Sequence, residues 1–427
     1  MAIVVPFRAM RFDEKKSGEI AKLCCPPYDI ISPAQREAYI AANDHNVVRL
    51  ELPVGENRYE NAAAILNEWL DEGALKLDDK DSFYIYGEEF TVEDTAYSFC
   101  GVIGRIKLTP FSEGVVLPHE ETLSKAKEDR LNLMKATGCN FSQIYSLYND
   151  DEGENCTADL LKSITAGAPV HEFADGDGVT HCLWIVDDPA LTAKLSNQFS
   201  GRKLYIADGH HRYETALNYK NYLLESGKEI TDQSPESYVM MFLVDMADPG
   251  LVVFPTHRIV RDLPDFDLDS LLDACDEHFD VYTLCSCCGY KDAMDQQYSL
   301  GKKAYVLCSG GERFLLVYKD DGAMEEAVKD RSDAYRDLDV SVLHSLILER
   351  ALGIDKENMA KQINLTYTRD AEEAEAATEE GRANCAFILN PTRISQIAAV
   401  AAAGDKMPQK STYFYPKLIT GLVMNKF

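Results

Sequence analysis

Two kinds of hydrophobic pattern alternate along the chain and predict helices and strands together. Apolar residues three or four positions apart predict a helix over residues 61–73, which ends on a glycine. Ser32 and Pro33 are the residue types of a helix N-cap and first helical position. Short apolar runs predict strands over residues 142–147, 181–186, 203–207, 238–244 and 251–254.

Hairpins and strand–helix units occur in the same chain. The apolar runs around residues 83–86 and 97–104 flank a polar turn and predict a hairpin, and residues 304–318 predict another. A helix is predicted at residues 213–224, directly after a strand. We therefore expect an α+β fold, a mixed α/β core with hairpin insertions and a second α/β domain, and not an all-parallel sheet. The polar, proline-containing stretch 261–267 predicts the boundary, and the expected domains are residues 1–262 and 263–427.

The charge of the chain narrows the range of partners. Its 427 residues include 43 Lys and Arg against 71 Asp and Glu, a formal net charge of −28. A nucleic-acid binder needs basic side chains to displace counterions, so binding to nucleic acid is not expected. Anionic membranes are equally unfavourable partners. The longest apolar run, near residues 397–403, is far short of the roughly 20 residues that span a bilayer.

The cysteines and the N-terminus indicate a cytoplasmic protein. No basic segment followed by an apolar segment opens the chain, and the twelve cysteines are expected to be reduced thiols. Cys275, His278, Cys285 and Cys287 are four potential metal ligands within a short stretch, but their spacing is not that of a zinc finger. Structural zinc is therefore not favoured, and the role of this cluster stays open.

The most distinctive polar motif, Asp-Gly-His-His-Arg, joins a predicted strand to a predicted helix. The N-terminus of a helix attracts anions through its N–H groups and its dipole. Gly209 allows a ligand close to the backbone, and Arg212 can bind a phosphate with two hydrogen bonds. His210 and His211 add donors or carry a proton, and Asp208 suits a base or a Mg²⁺ ligand. A plain turn capped by the aspartate is the alternative, but a cap requires neither two histidines nor an arginine.

A second polar motif precedes a predicted helix at residues 125–137. His119, Glu120 and Thr122 lie within four residues of one another. A histidine beside a carboxylate suits acid–base or metal chemistry, so we predict catalytic roles for His119 and Glu120 and a phosphate contact for Thr122. The alternative is that Thr122 only caps the helix.

A third motif, near the C-terminus, is basic and aromatic in an otherwise acidic chain. Lys410 and Lys417 bracket Ser411, Thr412 and three aromatic residues. Ammonium, hydroxyl and N–H groups together can bind phosphate, and aromatic rings can stack on a base. We predict that Lys410, Ser411, Thr412 and Lys417 bind a nucleotide, so that the end of the second domain returns to the site. A terminal strand with aromatic packing explains the motif equally well.

Three smaller motifs are expected to be turns or strands with ordinary salt bridges. They are residues 26–29, 49–51 and 256–258. The chain also lacks the P-loop, the protein-kinase HRD and DFG motifs, and the G-x-S-x-G elbow.

At residues 207–212 the chain resembles the ParB/sulfiredoxin superfamily, whose hallmark is a glycine-containing turn that binds nucleotide phosphates at a helix start. More closely, it is identified as a member of a bacterial and archaeal family of uncharacterised ParB-like proteins. The motifs that carry this resemblance lie at residues 26–29, 118–122, 129–131, 207–216, 255–258 and 410–417. They span nearly the whole chain.

The superfamily contains three activities: DNA binding with CTP hydrolysis in ParB, ATP-dependent phosphorylation of a sulfinic acid in sulfiredoxin, and phosphorylation of L-serine by free serine kinases with ADP or ATP. This chain lacks a recognisable helix-turn-helix, and His210 stands where the catalytic cysteine of sulfiredoxin would be. The resemblance therefore favours a small-molecule kinase, with L-serine as acceptor and O-phosphoserine as product.

The resemblance also implies roles for residues. Asp208 would engage the acceptor hydroxyl or Mg²⁺, while residues 209–212 hold the phosphates of ATP or ADP. From its own acid–base chemistry, and not from the resemblance, we choose Glu120 or His119 as the general base. Two alternatives remain: a nucleotide-binding switch with slow hydrolysis, and a DNA-binding or nuclease module.

Overall fold

The computed structural model describes residues 1–120, 124–150, 156–285 and 289–427, with the backbone alone for residues 124–126. The chain forms two compact units. The first comprises Met1–Pro118, Thr122–Val252 and Pro416–Phe427, and the second comprises His119–Glu121 and Val253–Tyr415. The division predicted from the sequence is simpler, because it separates neither the short segment 119–121 nor the C-terminal segment 416–427.

A mixed nine-stranded sheet forms the centre of the first unit in the described part of the chain. The strands of this unit up to residue 245 are β1 (Val4–Val5), β2 (Met10–Phe12), β3 (Leu75–Leu77), β4 (Phe83–Val92), β5 (Thr95–Lys107), β6 (Val116–Leu117), β7 (Cys139–Asn140), β8 (Ile144–Tyr148), β9 (His171–Ala174), β10 (Thr180–Val186), β11 (Leu204–Asp208) and β12 (Tyr238–Asp245). Eight of these strands form the sheet in the order β6-β11-β8-β12-β5-β4-β10-β9, and the ninth, β1, pairs with β5. The β6–β11 and β8–β12 pairs are parallel and the others antiparallel, which confirms the predicted α+β class.

Helices flank this sheet and bury its apolar side chains. They are α1 (Glu14–Ser17), α2 (Pro33–Ala42), α3 (Val48–Glu51), α4 (Arg58–Asp71), α5 (Ser124–Thr137), α6 (Thr157–Thr165), α7 (Pro189–Gln198) and α8 (His210–Glu225). The predicted start of α2 is confirmed, because the Ser32 hydroxyl accepts from the Gln35 N–H while the Gln35 side chain accepts from the Ser32 N–H. Helix α8 packs against α5, and its Tyr213 is fully buried in the core of this unit.

Two short antiparallel pairs complete the first unit. Strand β2 pairs with β3, and β7 pairs with the strand Asn425–Lys426. The C-terminal segment is therefore an integral part of this unit. It also exchanges backbone hydrogen bonds with the N-terminal region, where Cys25 and Thr420 each donate to the other at 3.2 and 2.8 Å.

The second unit has an antiparallel six-stranded sheet in the part that the structure describes. Its strands are β13 (Val252–Phe254), β14 (His257–Val260), β15 (Phe279–Leu284), β16 (Ala304–Ser309), β17 (Glu312–Tyr318), β18 (Leu365–Thr368), β19 (Cys385–Ile388) and β20 (Tyr413–Tyr415). The sheet order is β15-β17-β16-β19-β14-β18, and β13 pairs separately with β20. The predicted hairpin at residues 304–318 is confirmed as β16–β17.

The helices of the second unit lie between these strands in sequence. They are α9 (Leu268–Asp276), α10 (Tyr290–Ser299), α11 (Ala323–Ala327), α12 (Asp333–Arg336), α13 (Asp339–Val342), α14 (Lys356–Lys361), α15 (Ala371–Glu379) and α16 (Ile394–Ala402), and the π-helix Leu343–Ala351 continues α13.

The cysteine-rich stretch does not assemble a metal site among the described residues. The two ring nitrogens of His278 contact Asp321 at 2.8 Å and Arg350 at 2.9 Å. Burial raises the pKa of the Cys275 thiol to about 12. Cys285 is disulfide-bonded, contrary to the expectation of reduced thiols throughout, whereas Cys287 lies outside the described residues. Of the helices that the structure describes, none has the length and apolar character needed to cross a membrane.

His181 on β10 is completely buried between two carboxylates. Its Nε2 lies 3.1 Å from Asp175 Oδ2, and its Nδ1 lies 3.6 Å from Glu88 Oε1. Burial opposes the charged form, but the hydrogen bonds and charges of Asp175 and Glu88 prevail and raise the pKa of His181 to about 9. The imidazolium is therefore the form that this core holds at neutral pH.

This arrangement predicts that stability falls at alkaline pH. A histidine pKa that is higher in the folded state stabilises fully below the unfolded pKa of about 6.5, and the contribution is lost as pH rises through about 9. We expect the difference in unfolding free energy between the wild type and His181→Gln to shrink by about 2 kcal/mol across this window, measured by urea denaturation. Burial lowers the pKa of His171, so His171→Gln is the control and should show no such change. A pH-independent difference for His181→Gln would contradict the assignment.

Candidate functional site

A single glycine joins strand β11 to helix α8. Asp208 ends the strand, His210 begins the helix, and Gly209 between them has a left-handed backbone with φ +92° and ψ 28°. The Gly209 carbonyl accepts from the N–H groups of Arg212 and Tyr213 at 2.9 and 3.2 Å. The helix thus begins three residues earlier than the predicted residue 213, because one glycine reverses the chain where a longer turn was expected. Both histidines and the arginine consequently belong to its first turn.

The Asp208 carboxylate lies between two cationic side chains. Its Oδ2 is 3.2 Å from Arg212 Nη2, and its Oδ1 is 3.4 Å from Lys417 Nζ. The Arg212 guanidinium also donates to the backbone carbonyl of Gln143. All three charged side chains are largely buried, with 25, 13 and 11% of Asp208, Arg212 and Lys417 exposed. Two cations and one carboxylate therefore meet at a helix N-terminus, which is a place where anions are favoured.

Gly209 is required for this geometry on steric grounds as well. A Cβ at this position would lie 3.0 Å from Arg212 Nε and 3.1 Å from Arg212 Cζ. The Arg212 side chain therefore folds back over the glycine. In the same helical turn, His210 is buried and His211 is half-buried.

A second layer of charged residues supports Arg212 from motifs that are distant in sequence. The buried Arg130 guanidinium donates to the Glu51 carbonyl at 2.6 Å and stacks on the Tyr28 ring, 4.1 Å from its centroid. The Glu51 carboxylate accepts from Ser142 Oγ at 2.9 Å. Burial raises the pKa of Glu51, while the positive charges of Arg130 and Arg212 oppose the increase. Glu51, Arg130 and Arg212 line one cavity of the first unit.

These residues were missed as functional candidates by the sequence analysis. Residues 26–29 and 49–51 were interpreted as ordinary turns and salt bridges, and Arg130 contributed only to the family resemblance. Each motif is short and contains common residue types, so periodicity gives no sign that they meet. The signal that could have found Tyr28 and Arg130 is the set of family motifs itself, since four of its six members come together in this part of the first unit. Glu51 lies outside those motifs.

The other candidates form a group in the second unit. His119 is fully buried, and its Nε2 lies 3.2 Å from Thr412 Oγ1. The Glu120 carboxylate accepts from the Lys410 N–H at 2.9 Å. Ser411 is buried and donates to the Pro408 carbonyl. Thr122 lies outside the described residues.

The third motif is divided between the two units. Lys410, Ser411 and Thr412 belong to the second unit with His119 and Glu120, whereas Lys417 belongs to the first unit with Asp208. Strand β20, which pairs with β13, accounts for the aromatic residues between them, and the Tyr415 ring lies 4.9 Å from Phe254. The expectation of a single phosphate site from residue 410 to residue 417 thus corresponds to two separate sets of contacts.

The chain is similar to several solved structures at low sequence identity. Among solved structures, a conserved hypothetical protein from Pyrococcus furiosus is 14% identical, over 76% of this chain and 95% of that chain, with a TM-score of 0.37. A mutant of a free serine kinase in complex with ADP is 13% identical, over 76% and 91% of the two chains, with a TM-score of 0.38. SbnI with a C-terminal truncation, from Staphylococcus aureus, is 11% identical over 74% and 86%, with a TM-score of 0.35. The chain matches none of the curated proteins.

A family model described as "Protein of unknown function (DUF1015)" matches residues 4–341, well over half of the sequence. The matched range includes the turn at Gly209 and its partners Glu51 and Arg130. The chain belongs to the DUF1015 family.

Proposed function

We propose that the protein is a small-molecule kinase that transfers a phosphoryl group from ATP or ADP to a free hydroxyl, with L-serine as the acceptor and O-phosphoserine as the product. The observation that carries the proposal is the Asp208 carboxylate held between Arg212 and Lys417 at the first turn of α8. The resemblance of this motif to that of free serine kinases in the ParB/sulfiredoxin superfamily supports the choice of acceptor.

The geometry fits binding of phosphates. Transfer of a phosphoryl group depends mainly on position and on neutralising charge over the phosphate oxygens. Arg212 and Lys417 supply two positive charges, and the N-terminus of a sixteen-residue helix adds the positive end of its dipole. His210 and His211 occupy the first turn of that helix, where they can donate to phosphate oxygens or carry a proton.

Mg²⁺ fits this site only as a companion of the nucleotide. The described residues hold no group of three or more potential metal ligands, but Mg²⁺ in kinases takes most of its ligands from phosphate oxygens and water. Asp208 supplies one carboxylate oxygen of the type that Mg²⁺ prefers. The ion would add neutralising charge at the phosphates.

The general base is assigned from the sequence to Glu120, with His119 as the other candidate. As the acceptor oxygen attacks, an O–P bond forms to the terminal phosphorus and the bond from phosphorus to the nucleotide oxygen breaks. The hydroxyl proton passes to the base, and ADP leaves when ATP is the donor, or AMP when ADP is the donor. Glu120→Gln should therefore reduce turnover while leaving nucleotide affinity close to that of the wild type.

The decisive experiment is phosphorus NMR of the full chain with Mg²⁺, ATP or ADP, and L-serine within a mixture of amino acids and sugars. A new phosphomonoester signal that requires L-serine is the expected result. A signal that requires a different acceptor would correct the substrate and keep the kinase. Nucleotide hydrolysis without a phosphorylated acceptor would overturn the kinase in favour of the nucleotide switch, and absence of both reactions and of nucleotide binding would overturn the site.

A further inference from the structure

A second polar cavity lies entirely within the second unit. Three cationic side chains line it, Arg331, Lys356 and Lys406, together with His344 and the rings of Tyr335 and Tyr367. Glu349 is the carboxylate in the lining, and burial raises its pKa. Cationic groups therefore outnumber carboxylates here, in a chain whose net charge is −28.

Two of the cations form no ion pair with any residue that the structure describes. The Arg331 guanidinium pairs with Asp405 at 2.7 Å. The ammonium groups of Lys356 and Lys406 form no ion pair with a residue in the described ranges, although Glu349 lies close enough to Lys356 to feel its charge. In an acidic protein such uncompensated lysines at a cavity favour an anionic ligand over a cationic one.

A buried positive charge, the guanidinium of Arg258, lies behind the residues that line the cavity. Arg258 is fully buried, and its Nε donates to His344 Nε2 at 3.2 Å while its Nη2 donates to the Lys410 carbonyl at 3.1 Å. Within the described chain no carboxylate forms an ion pair with this guanidinium. Carbonyls, the imidazole and the Tyr367 ring, whose centroid is 5.5 Å away, surround its charge, and the Glu120 carboxylate acts on it from a longer distance. A buried charge of this kind favours a nearby anion.

His344 joins Arg258 to the cavity, because it accepts a hydrogen bond from Arg258 and lines the cavity. Because its Nε2 accepts from Arg258, the neutral imidazole carries its proton on Nδ1. Only 4% of His344 is exposed, and the residue lines the cavity. Its Nδ1–H can therefore donate a hydrogen bond to an oxyanion bound there.

We propose that this cavity is a binding site for a small molecule that carries a phosphate group. Lys356, Lys406 and Arg331 neutralise the phosphate, and His344 donates one hydrogen bond to it. The flanking tyrosine rings accept the apolar part of the ligand. This site shares no residue with the proposed phosphate site, because its lining residues belong to the second unit whereas Asp208, Arg212 and Lys417 belong to the first.

The test measures binding of inorganic phosphate to the full chain by the line width of its phosphorus NMR signal. The protein carries Arg212→Ala, so that the proposed nucleotide site of the first unit does not contribute. We expect saturable broadening, and we expect Lys356→Gln with Lys406→Gln to weaken binding by about tenfold or more. Both lysines are at least partly exposed, so the pair of substitutions should leave the fold intact, as checked by thermal unfolding.

The matched control is Lys361→Gln. Lys361 lies on the same helix as Lys356 but pairs with Glu357 and does not line the cavity. Equal affinity of the control and the double variant would overturn the proposal, as would absence of saturable broadening in the Arg212→Ala protein. Acetate at equal concentration should compete poorly, and competition as strong as that of phosphate itself would overturn the choice of phosphate.

Discussion

Replacing Arg212 by alanine is expected to lower kcat/KM for phosphoryl transfer by about three orders of magnitude, since cationic groups that stabilise transferring phosphoryl groups have effects of this size. The substitution removes the guanidinium that contacts Asp208 and leaves Lys417 as the remaining cation at that carboxylate. Asp208→Asn should have a comparable effect because it removes the carboxylate while preserving its shape. Both are measured by initial rates with saturating acceptor and varied nucleotide.

Lys220→Ala is the control for this prediction. Lys220 lies on the same helix α8, so its loss also removes one positive charge, but it is far from the first turn. We expect it to retain activity within about twofold. Full activity in both Arg212→Ala and Asp208→Asn would show that the turn at Gly209 is not the phosphate site.

Gly209→Ala is expected to disable the same site through its backbone. An alanine at φ +92° costs about 1 kcal/mol of stability, and its Cβ would displace the Arg212 side chain. We therefore expect nucleotide affinity, measured by calorimetry, to fall by at least about tenfold.

Gly201→Ala separates these two effects. Gly201 precedes strand β11 with φ +91°, almost the same φ as that of Gly209, but a Cβ there would have no atom within 4 Å. It should lose a similar amount of stability and bind nucleotide normally. If the two variants bind nucleotide equally well, the contact between Gly209 and Arg212 has no part in binding.

The sequence predicted the local character of this site better than its assembly. A glycine between an apolar strand and a helical pattern indicates a turn, and two histidines with an arginine beside it indicate chemistry. These residue types alone do not determine how many residues the turn needs. Its single-residue length follows from the positive φ of Gly209, which no periodicity reports, and so the predicted helix began too late.

The hydrophobic pattern of the sequence could not predict contacts between residues that are distant along the chain. Arg130 donates to the carbonyl of Glu51 across 79 positions, and neither residue is unusual in its own neighbourhood. Conversely, Lys410 and Lys417 are close in sequence and were predicted to act together, although they belong to different units. Proximity along a chain implies proximity in space only within one element, and strand β20 separates these lysines.

The placement of Lys417 has a consequence for synthesis of the protein. Strand β11 and helix α8 leave the ribosome long before the segment Pro416–Phe427, which supplies this lysine and the strand that pairs with β7. A nascent chain that stops before Pro416 therefore contains the glycine turn but lacks one of the two cations at Asp208. The proposed kinase site is completed only after translation has passed through the whole second unit, so truncated translation products would carry an incomplete site.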